Sequence, residues 1–593
     1  MPTKKRNIFT KILIWRYKHI SERQFLLVLS IFVGFLAGLG TVILKYLTLF
    51  IQSVFEGGFI KNYHHSLYFI FPIIGVLLVY LIKKYVIKKE IGHGISTTLY
   101  SISKRSGIIE RYKMFASLIA APITVGFGGS VGLQGPAVST GAAIGSNVAR
   151  LFHMNAKTRM LLIGCATAGA MSSMFKAPVA AIVFAIEIFS LDLVFASLVP
   201  LLLASITAVI TSYFFRGTDV LFGFELQEAW RVKDIVFYVL LGIGTGVASI
   251  YFSKMYFLIT RFFERFSNAY VKIGIAAVAI GFMLYFIPPL YGEGYGLINN
   301  LLNGDTAEAL SGIQYTIDFD NVWMVILILL IIAVFKAIAM TTTFAAGGVG
   351  GIFIPTLFMG SALGNAVAKI INQFGFDVSE SNFTLIGMTG LMAGVLHAPL
   401  TAIFLIAEIT GGYDLFVPLM LVAAISYGFT KYFVPNSIYT AALAKRGELI
   451  TNDKDKNALM MMKIDKVIET NFIKISTEMT LGEMLREGVS KSSRNIFPVV
   501  DEGGQFLGIV LLDDVRSVMF DQSLYENTTV SLFMKSAPDI IFYEDSMEKI
   551  MTKFKGSGAW NLPVVKNNKY IGFISKSKLL TAYRTKLIEV TNS

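Results

Sequence analysis

Clustered glycines around a single glutamine form the segment of this chain with the clearest chemical meaning. Residues 125–145 contain seven glycines, one proline and no charged side chain, and Gln134 lies near their centre. No clean helix can run through this segment, because clustered glycine and Pro136 both disfavour a helix interior. A helix that begins within it directs free backbone N–H groups and a partial positive charge at whatever lies in front of its N-terminus. This is the chemistry of an anion site made without a cationic side chain.

The composition places this segment in a membrane protein. Of the 593 residues, 54% are hydrophobic and 15% are charged, whereas about a quarter of the residues of a soluble protein are charged. Several apolar runs are shorter than the roughly 20 residues that a straight transmembrane helix needs, which predicts tilted, broken or re-entrant helices. Irregular backbone at membrane depth is tolerated only where protein buries it or where it lines a polar cavity. We therefore expect a lipid-embedded, multi-pass protein whose broken helices surround a polar site.

The net charge and the few cysteine and histidine residues narrow the range of possible functions further. The net charge is +13, and seven lysines and arginines precede the first long apolar run at 26–50. The positive-inside rule explains this excess and predicts a cytoplasmic basic segment over residues 1–24, with no nucleic-acid partner. The single cysteine, Cys165, excludes an intramolecular disulfide and a cysteine-based metal site. Six scattered histidines and the lack of a Ser/His/Asp arrangement indicate neither a metal site nor an enzyme.

The chain repeats itself at a distance of about 220 residues. The glycine segment at 128–136 matches 347–355, with a proline eight positions after the first glycine in both, so the displacement is 219. An Ala-Pro segment at 177–187 matches 398–408, with a glutamate ten positions after the alanine in both, and the displacement is 221. Such a repeat, with broken helices at matching places, indicates a two-half transporter or channel whose site lies where the halves meet.

The composition changes after about residue 445. A polar linker is expected over 446–466, followed by two similar soluble units at 467–522 and 523–593. Asn-Ile-Phe-Pro-Val-Val at 495–500 parallels Trp-Asn-Leu-Pro-Val-Val at 560–565, and each unit reads as a helix, two strands and a second helix. The four predicted helices cover 481–488, 513–519, 547–554 and 577–583. This tail resembles a tandem pair of CBS domains, a regulatory module that often binds adenine nucleotides.

With these motifs, the chain resembles the CLC family of chloride channels and chloride/proton exchangers. The resemblance covers nearly all of residues 25–590. It implies an all-α polytopic membrane region over 25–445, with two inverted-topology repeats of broken helices at about 25–215 and 230–445. It also implies a cytoplasmic α/β tandem CBS tail and a homodimer with one anion pathway per subunit. We expect an integral protein of the cell membrane with both termini in the cytoplasm.

The resemblance implies which residues surround the anion. The family's first anion loop, Gly-Ser-Gly-Ile-Pro, corresponds to Gly-His-Gly-Ile-Ser at 92–96, and the second, Gly-Arg-Glu-Gly-Pro, to Gly-Leu-Gln-Gly-Pro at 132–136. The third loop, Gly-Ile-Phe-x-Pro, is intact at 351–355, and a late tyrosine of the family corresponds to Tyr439. Backbone N–H groups, one O–H group and the positive edge of one phenylalanine ring would hold the ion weakly, as conduction requires. The implied anion-binding residues are His93, Gly94, Leu133, Gln134, Gly135, Ile352, Phe353, Ile354 and Tyr439.

Two departures from the family bear on the mechanism. The gate position, which is usually a glutamate that competes with the anion, is Gln134, which has the shape of the protonated acid and does not ionise. In exchangers of the family a second glutamate relays protons, and that position is Ile188 here. Without either carboxylate, we expect no coupled proton exchange. Glu187, next to the lost relay position, is expected to maintain the fold because Glu408 recurs at the same offset.

His93 is the third departure, since the family commonly has serine there. Its imidazole can donate a hydrogen bond to an anion, and histidine titrates near neutrality. Alternatively only the backbone of this loop faces the anion and the ring packs elsewhere. The sequence leaves these two alternatives open, and chloride is the expected anion.

Each CBS unit keeps half of the family's nucleotide motif, Gly-hydrophobic-x-Thr/Ser-x-x-Asp. The first unit retains the acid as Asp514 and lacks the hydroxyl, and the second retains the hydroxyl as Ser575 and lacks the acid. Asp514 and Ser575 are therefore candidate nucleotide contacts. A degenerate pair that serves only dimer contacts is favoured slightly over a nucleotide sensor.

The function that the sequence favours is a passive chloride channel that needs no cofactor. The alternative is a proton-coupled chloride antiporter of the same family, with His93 or water as the proton carrier. A divalent-cation channel is disfavoured, because cation pores need carboxylate or carbonyl rings and the glycine-rich loops lack acids.

Overall fold

The chain forms two compact units, Met1–Leu449 and Ile450–Ser593. Within them the computed structural model describes residues 16, 18–56, 70–92, 94–190, 195–218, 222, 229–313, 317–445 and 454–591. His93 and residues 446–453 of the predicted linker therefore lie outside the described residues.

The first unit is built from helices throughout its described residues. They are α1 (Glu22–Glu56), α2 (Phe71–Leu81), α3 (Gly94–Arg105), α4 (Lys113–Gly126), α5 (Gln134–Leu151), α6 (Ala156–Phe175), α7 (Pro178–Phe189), α8 (Phe195–Arg216), α9 (Ile235–Glu264), α10 (Ala269–Phe286), α11 (Tyr295–Leu302), α12 (Thr306–Ala309), α13 (Val322–Ala345), α14 (Phe353–Gln373), α15 (Glu380–Leu396), α16 (Pro399–Ile409), α17 (Phe416–Phe433) and α18 (Ala441–Lys445). A π-helical turn, Ile82–Ile87, prolongs α2. Among the described residues, seven helices are long and apolar enough to cross a membrane: α1, α8, α9, α10, α13, α14 and α17.

Two short helices of the first unit begin where the sequence places proline. Helices α7 and α16 are 12 and 11 residues long and each begins at a proline, a residue suited to the first turn of a helix. The residues before the two Ala-Pro segments, Lys176 and His397, end the preceding helices in the left-handed conformation. Because a straight span needs roughly 20 residues, α7 and α16 are partial spans, as the short apolar runs predict.

The two halves pack their helix pairs in the same way. In the first half α5 crosses α6 so closely that a Cβ at Gly145 would lie 2.4 Å from the carbonyl oxygen of Leu162. In the second half α14 crosses α15, and a Cβ at Gly364 would lie 2.1 Å from the carbonyl oxygen of Phe383. Small residues permit such close helix contacts in membranes. The predicted internal repeat is thus a repeat of packing as well as of sequence.

Contacts between the halves are reciprocal. The Thr124 hydroxyl oxygen accepts a hydrogen bond from the Val349 N–H (3.0 Å), and the Thr343 hydroxyl oxygen accepts one from the Ser130 N–H (3.3 Å). Residues 124 and 343, and residues 130 and 349, are each 219 apart, so exchanging the halves exchanges the two contacts. Such reciprocity requires a local two-fold axis between the halves.

Helices α7 and α16 obey the same symmetry. The Glu187 carboxylate accepts hydrogen bonds from the N–H groups of residues 400 and 401 at the start of α16 (3.2 and 2.8 Å). The Glu408 carboxylate accepts them from residues 179 and 180 at the start of α7 (3.1 and 2.8 Å). Each carboxylate therefore caps the N-terminus of the other helix, where negative charge is stabilising. The last turn of each helix meets the first turn of the other, so the pair is antiparallel.

The second unit mixes helices and strands. Its helices are α19 (Lys454–Met461), α20 (Leu481–Glu483), α21 (Leu512–Val515), α22 (Met547–Ser557) and α23 (Lys576–Thr591), and its strands are β1 (Ile468–Glu469), β2 (Ile496–Val500), β3 (Phe506–Leu511), β4 (Ile541–Phe542), β5 (Asn561–Lys566) and β6 (Lys569–Ser575). One sheet pairs β2 with β3, and the other has the order β1-β6-β5-β4. Buried Phe497 and Val564 lie in the cores beneath the two sheets.

The two repeats of this unit are interlocked. Strand β1 lies in the first repeat but pairs with β6 in the second. Conversely Lys535, in the second repeat, forms an antiparallel bridge with Ile509 of β3. Each repeat thus completes its sheet with a segment of the other.

All four predicted helices of this unit differ in length from the structure. The helix predicted over 481–488 is α20 prolonged by a π-helical turn, Met484–Val489, and the one predicted over 547–554 is the longer α22. The helix predicted over 513–519 is the four-residue α21, since the Arg-Ser-Val-Met sequence that follows contains two residues of lower helix propensity, serine and valine. The helix predicted over 577–583 is the 16-residue α23, because its sequence continues with strong helix formers.

Candidate anion site

The N-termini of α5 and α14 are held side by side by a short backbone bridge. The Gly132 N–H donates to the Gly351 carbonyl oxygen (2.9 Å), and the Gly351 N–H donates to the Gly132 carbonyl oxygen (2.6 Å). The preceding turns need glycine, because Gly128 and Gly347 have φ values of 92° and 97°. Residues 132 and 351 are repeat partners, so this bridge lies on the local two-fold axis.

The bridge leaves a set of backbone donors at the two helix N-termini. Helix α5 begins at Gln134 and α14 at Phe353, immediately after the bridged glycines. N–H groups in the first turn of a helix have no acceptor within that helix, and both helix dipoles place partial positive charge here. The N–H groups of residues 134–135 and 352–354 are therefore available to an anion, as the glycine-rich sequence predicts.

A third loop reaches the same place. Gly94, the first residue of α3, lies against α5, because a Cβ on it would be 2.8 Å from the Gly135 carbonyl oxygen. Gly135 in turn lies against the loop that precedes α14, since a Cβ on it would be 3.0 Å from the Gly350 carbonyl oxygen. The structure thus brings the Gly94, 132–136 and 351–355 segments into direct contact.

The two aromatic candidates are both buried. The fully buried Phe353 ring packs against Phe175 (centroids 5.9 Å apart) and, edge to face, against Phe184 (5.7 Å). Tyr439 is 7% exposed, and its hydroxyl has no hydrogen-bond partner among the residues that the structure describes. A buried hydroxyl without a partner is rare in proteins and indicates a donor that awaits a ligand or water.

Gln134 is fully buried and its amide is held on one side only. Its Nε2 donates to the Glu293 carboxylate (3.4 Å) and to the Tyr295 hydroxyl oxygen (3.3 Å). Its Oε1 has no partner among the described residues and lies close to Gly132. The carboxylate determines this orientation, because a carboxylate repels the amide oxygen and attracts the amide N–H groups.

Glu293 is the functional candidate that sequence reasoning missed. It lies six per cent exposed in the loop before α11, and its carboxylate forms an ion pair with Lys45 of α1 (2.9 Å). Its other oxygen accepts from the Leu133 N–H (3.1 Å). A lone acid in the Gly-Glu-Gly sequence at 292–294 and a lysine within the apolar run at 26–50 were the available signals, since charges within a membrane usually serve a function. The glycine-rich loops themselves lack acids, as predicted, but an acid reaches them from another element.

Comparison with known proteins identifies the fold. Residues 74–431 match the family model described as voltage gated chloride channel, and residues 464–521 and 530–585 match the CBS domain. The chain belongs to the CLC family. The predicted all-α membrane region and α/β CBS tail are thereby confirmed.

Relatives named as chloride channels and relatives named as exchange transporters are both similar to this chain. It is 27% identical to a ClcB-like protein of Ralstonia nicotianae over 63% of this chain and 85% of that protein. It is 27% identical to the H(+)/Cl(-) exchange transporter ClcA of Vibrio cholerae over 54% of this chain and 66% of that protein. It is 25% identical to the chloride channel protein CLC-f of Arabidopsis thaliana over 78% of this chain and 66% of that protein. The chain thus spans about two thirds of the length of the last two.

Solved CLC structures share the fold. A eukaryotic CLC transporter superposes with a TM-score of 0.59 at 16% identity, covering 96% of this chain and 99% of that one. A slow cyanobacterial Cl-/H+ antiporter gives a TM-score of 0.59 at 20% identity, covering 72% of this chain and 98% of that one.

Ile188, which the resemblance predicts to be the lost proton-relay position, lies on α7. Ile188 is 8% exposed and follows Glu187, whose carboxylate caps α16 and also accepts from the Thr401 hydroxyl (2.6 Å). The capping explains the expectation that Glu187 maintains the fold. An isoleucine in the next position contributes packing and no titratable group.

The CBS residues proposed for nucleotide contact are engaged within the unit itself. Asp514 forms an ion pair with Lys535 (2.6 Å), and the Ser575 hydroxyl donates to Glu469 (2.5 Å). Burial raises the pKa of Glu469, but the Ser575 hydroxyl and the Arg494 guanidinium more than offset this, so that the pKa lies below its ordinary value. Asp514 is thus paired with a lysine and Ser575 is bonded to a carboxylate, so a ribose has to displace both contacts in order to bind at these residues.

Proposed function

We propose that this CLC protein is a passive chloride conductor in the cell membrane, active as a homodimer with one pathway per subunit. The paired helix N-termini at Gln134 and Phe353 carry this proposal. They offer several backbone donors and no cationic side chain, so an anion can bind at more than one place without being held tightly. The proposed anion contacts are His93, Gly94, Gln134, Gly135, Ile352, Phe353, Ile354 and Tyr439. The N–H of Leu133, the ninth predicted contact, already donates to Glu293.

The neutral residues at positions 134 and 188 support conduction without proton coupling. Gln134 does not ionise, so its side chain does not compete for the anion as a charge. Ile188 carries no proton. Both titrating positions of the family's proton path are thus neutral, and we propose that chloride moves down its gradient alone.

The proposal is tested in chloride-loaded liposomes with simultaneous recording of chloride and pH. Passive conduction predicts rapid chloride release when a counter-ion pathway is opened, without reproducible uphill proton movement. Gln134→Glu is expected to add acid-activated gating and still no proton coupling, because Ile188 is unchanged. Uphill proton movement driven by a chloride gradient in the unmodified protein contradicts the proposal.

The second candidate function is a proton-coupled chloride antiporter. Similarity to the V. cholerae exchange transporter favours it. It requires a carrier other than positions 134 and 188, and His93 or water is the candidate. If His93 contacts the ion, the pH dependence of conduction should change in His93→Ser, and an unchanged profile removes His93 from both hypotheses.

The CBS tail is proposed to modulate conduction through contacts between subunits, with termini in the cytoplasm. The internal engagement of Asp514 and Ser575 favours this over nucleotide sensing. Addition of adenine nucleotide to the cytoplasmic side is expected to leave conduction unchanged.

A further inference from the structure

Among the described residues, the Glu293 loop, residues 290–294, places a hydrogen-bond acceptor at only the first of the two helix N-termini. Its Glu293 carboxylate accepts from the Leu133 N–H at the start of α5. The repeat partner of Leu133 is Ile352 at the start of α14, and among the described residues no side chain accepts from the Ile352 N–H. The two anion-binding termini are therefore equivalent in backbone but not in what occupies them.

This loop is fastened in place by several bonds from the membrane helices. The Ser130 hydroxyl donates to the Leu290 carbonyl oxygen (2.6 Å), and Lys336 of α13 donates to the carbonyl oxygens of Leu290 and Gly292 (3.5 and 3.1 Å). Gly292 and Gly294, on either side of Glu293, have φ values of 58° and 84°, which glycine adopts at little cost. So many tethers position the carboxylate at the helix end with little freedom to move.

The groups around Glu293 come from five elements. Lys45 of α1 pairs with it directly, and Leu133 and Gln134 at the start of α5 donate to it. Arg216 of α8, Lys336 of α13 and Tyr295 of α11 are the other titratable groups within electrostatic range. The nearest of these groups is the Lys45 ammonium, 2.9 Å from one carboxylate oxygen, while the other oxygen accepts from the Leu133 N–H. The Glu293 carboxylate therefore lies at the positive end of the α5 dipole.

We propose that Glu293 is the positioning residue that restrains the anion path in place of a gate glutamate: it occupies the Leu133 N–H and holds the Gln134 amide N–H groups away from the anion. A carboxylate oxygen on a helix N-terminal N–H takes the place that a permeating anion would take. By fixing the amide, it also leaves the Gln134 oxygen, which repels anions, beside Gly132. In Glu293→Gln the neutral amide oxygen accepts less strongly than the carboxylate, so an anion competes better for the N–H groups of Leu133 and Gln134.

The test is the chloride dependence of flux in liposomes containing the full-length protein, compared with Glu293→Gln. Because a charged acceptor holds these donors by roughly one net hydrogen bond more than a neutral amide oxygen does, the half-saturating chloride concentration is expected to fall about fivefold. Flux at subsaturating chloride should rise by a similar factor per active protein. A purely structural role would lower the number of active proteins and leave the half-saturating concentration unchanged, which overturns the proposal.

Two further variants control for charge. Glu293→Gln combined with Lys45→Met removes both members of the ion pair, and the fivefold shift should persist. A return to the unmodified value means that the unpaired lysine attracted the anion, which also overturns the proposal. Glu380→Gln breaks the ion pair with Lys369 (2.5 Å), far along α14 from its N-terminus, and should cause no shift. The double variant carries the test where Glu293→Gln alone does not fold.

This inference rests on the proposed anion conduction, but a different measurement would contradict each of the two proposals. Proton movement recorded in the same vesicles reports on passive conduction in the unmodified protein. The shift between the unmodified protein and Glu293→Gln reports on Glu293 whether or not protons are coupled.

Discussion

The seam between the two halves and the Glu293 loop are both buried polar regions, but only the seam is symmetric. At the seam three backbone hydrogen-bond contacts have partners 219 or 221 residues away: Thr124 with Thr343, Gly132 with Gly351, and Glu187 with Glu408. At the loop, the Lys45–Glu293 pair meets one helix N-terminus only. Contacts that the repeat duplicates maintain the fold, whereas an expensive buried ion pair that it does not duplicate is better explained by function.

The largest expected effect tests the contacts that the repeat duplicates. Glu187→Ala and Glu408→Ala each leave two helix N–H donors without their acceptor. Each should lower the free energy of unfolding by about 2–3 kcal/mol, because unsatisfied polar groups are costly when partly or fully buried. Thermal unfolding in detergent measures both. Equal losses support a symmetric structural role, and a variant that folds normally but gains or loses transport would contradict it.

A smaller effect is expected where the symmetric bridge meets the anion site. In Gly351→Ala the new Cβ would lie 2.6 Å from the Gly135 nitrogen, which forces the helix N-termini apart at a cost of about 2 kcal/mol. Chloride flux per folded protein should fall about tenfold, because the donors no longer converge. Gly428→Ala is the matched control, since a Cβ there meets nothing within 4 Å. If the two variants give similar flux, the Gly132–Gly351 bridge is not needed for conduction.

The smallest expected effect tests the Glu293 loop, which the repeat does not duplicate. Ser130→Ala removes the hydroxyl that tethers the Leu290 carbonyl oxygen, and the repeat partner of Ser130 is Val349, which has no hydroxyl. We expect a loss of about 1 kcal/mol in stability and a fall of about twofold in half-saturating chloride, as the loop loosens. Thr124→Val, on the symmetric side, should cost similar stability without that fall. Identical chloride dependence in Ser130→Ala and Thr124→Val would mean that the Glu293 loop has no effect on anion binding that the symmetric seam lacks.

Much of the site was predictable from local sequence. Glycines at 128 and 347, followed by Pro136 and Pro355, require broken helices wherever the chain folds, because backbone conformation at glycine and proline is a local property. The matching of residues 92–96, 132–136 and 351–355 to one family's loops then predicted that three distant segments meet. The expectation that Phe353 and Tyr439 belong to the anion site needed only that resemblance.

The contacts of Glu293 were not predictable in this way. Nothing in the spacing of Lys45, Leu133, Gln134 and Glu293 relates them, since they are separated by up to 248 residues along the chain. Local sequence determined the helix breaks, the repeat and the neutral residues at 134 and 188. Only the tertiary structure decided that a carboxylate occupies one of two equivalent helix N-termini, because the approach of side chains from five separate elements depends on packing and leaves no periodic signal in the sequence.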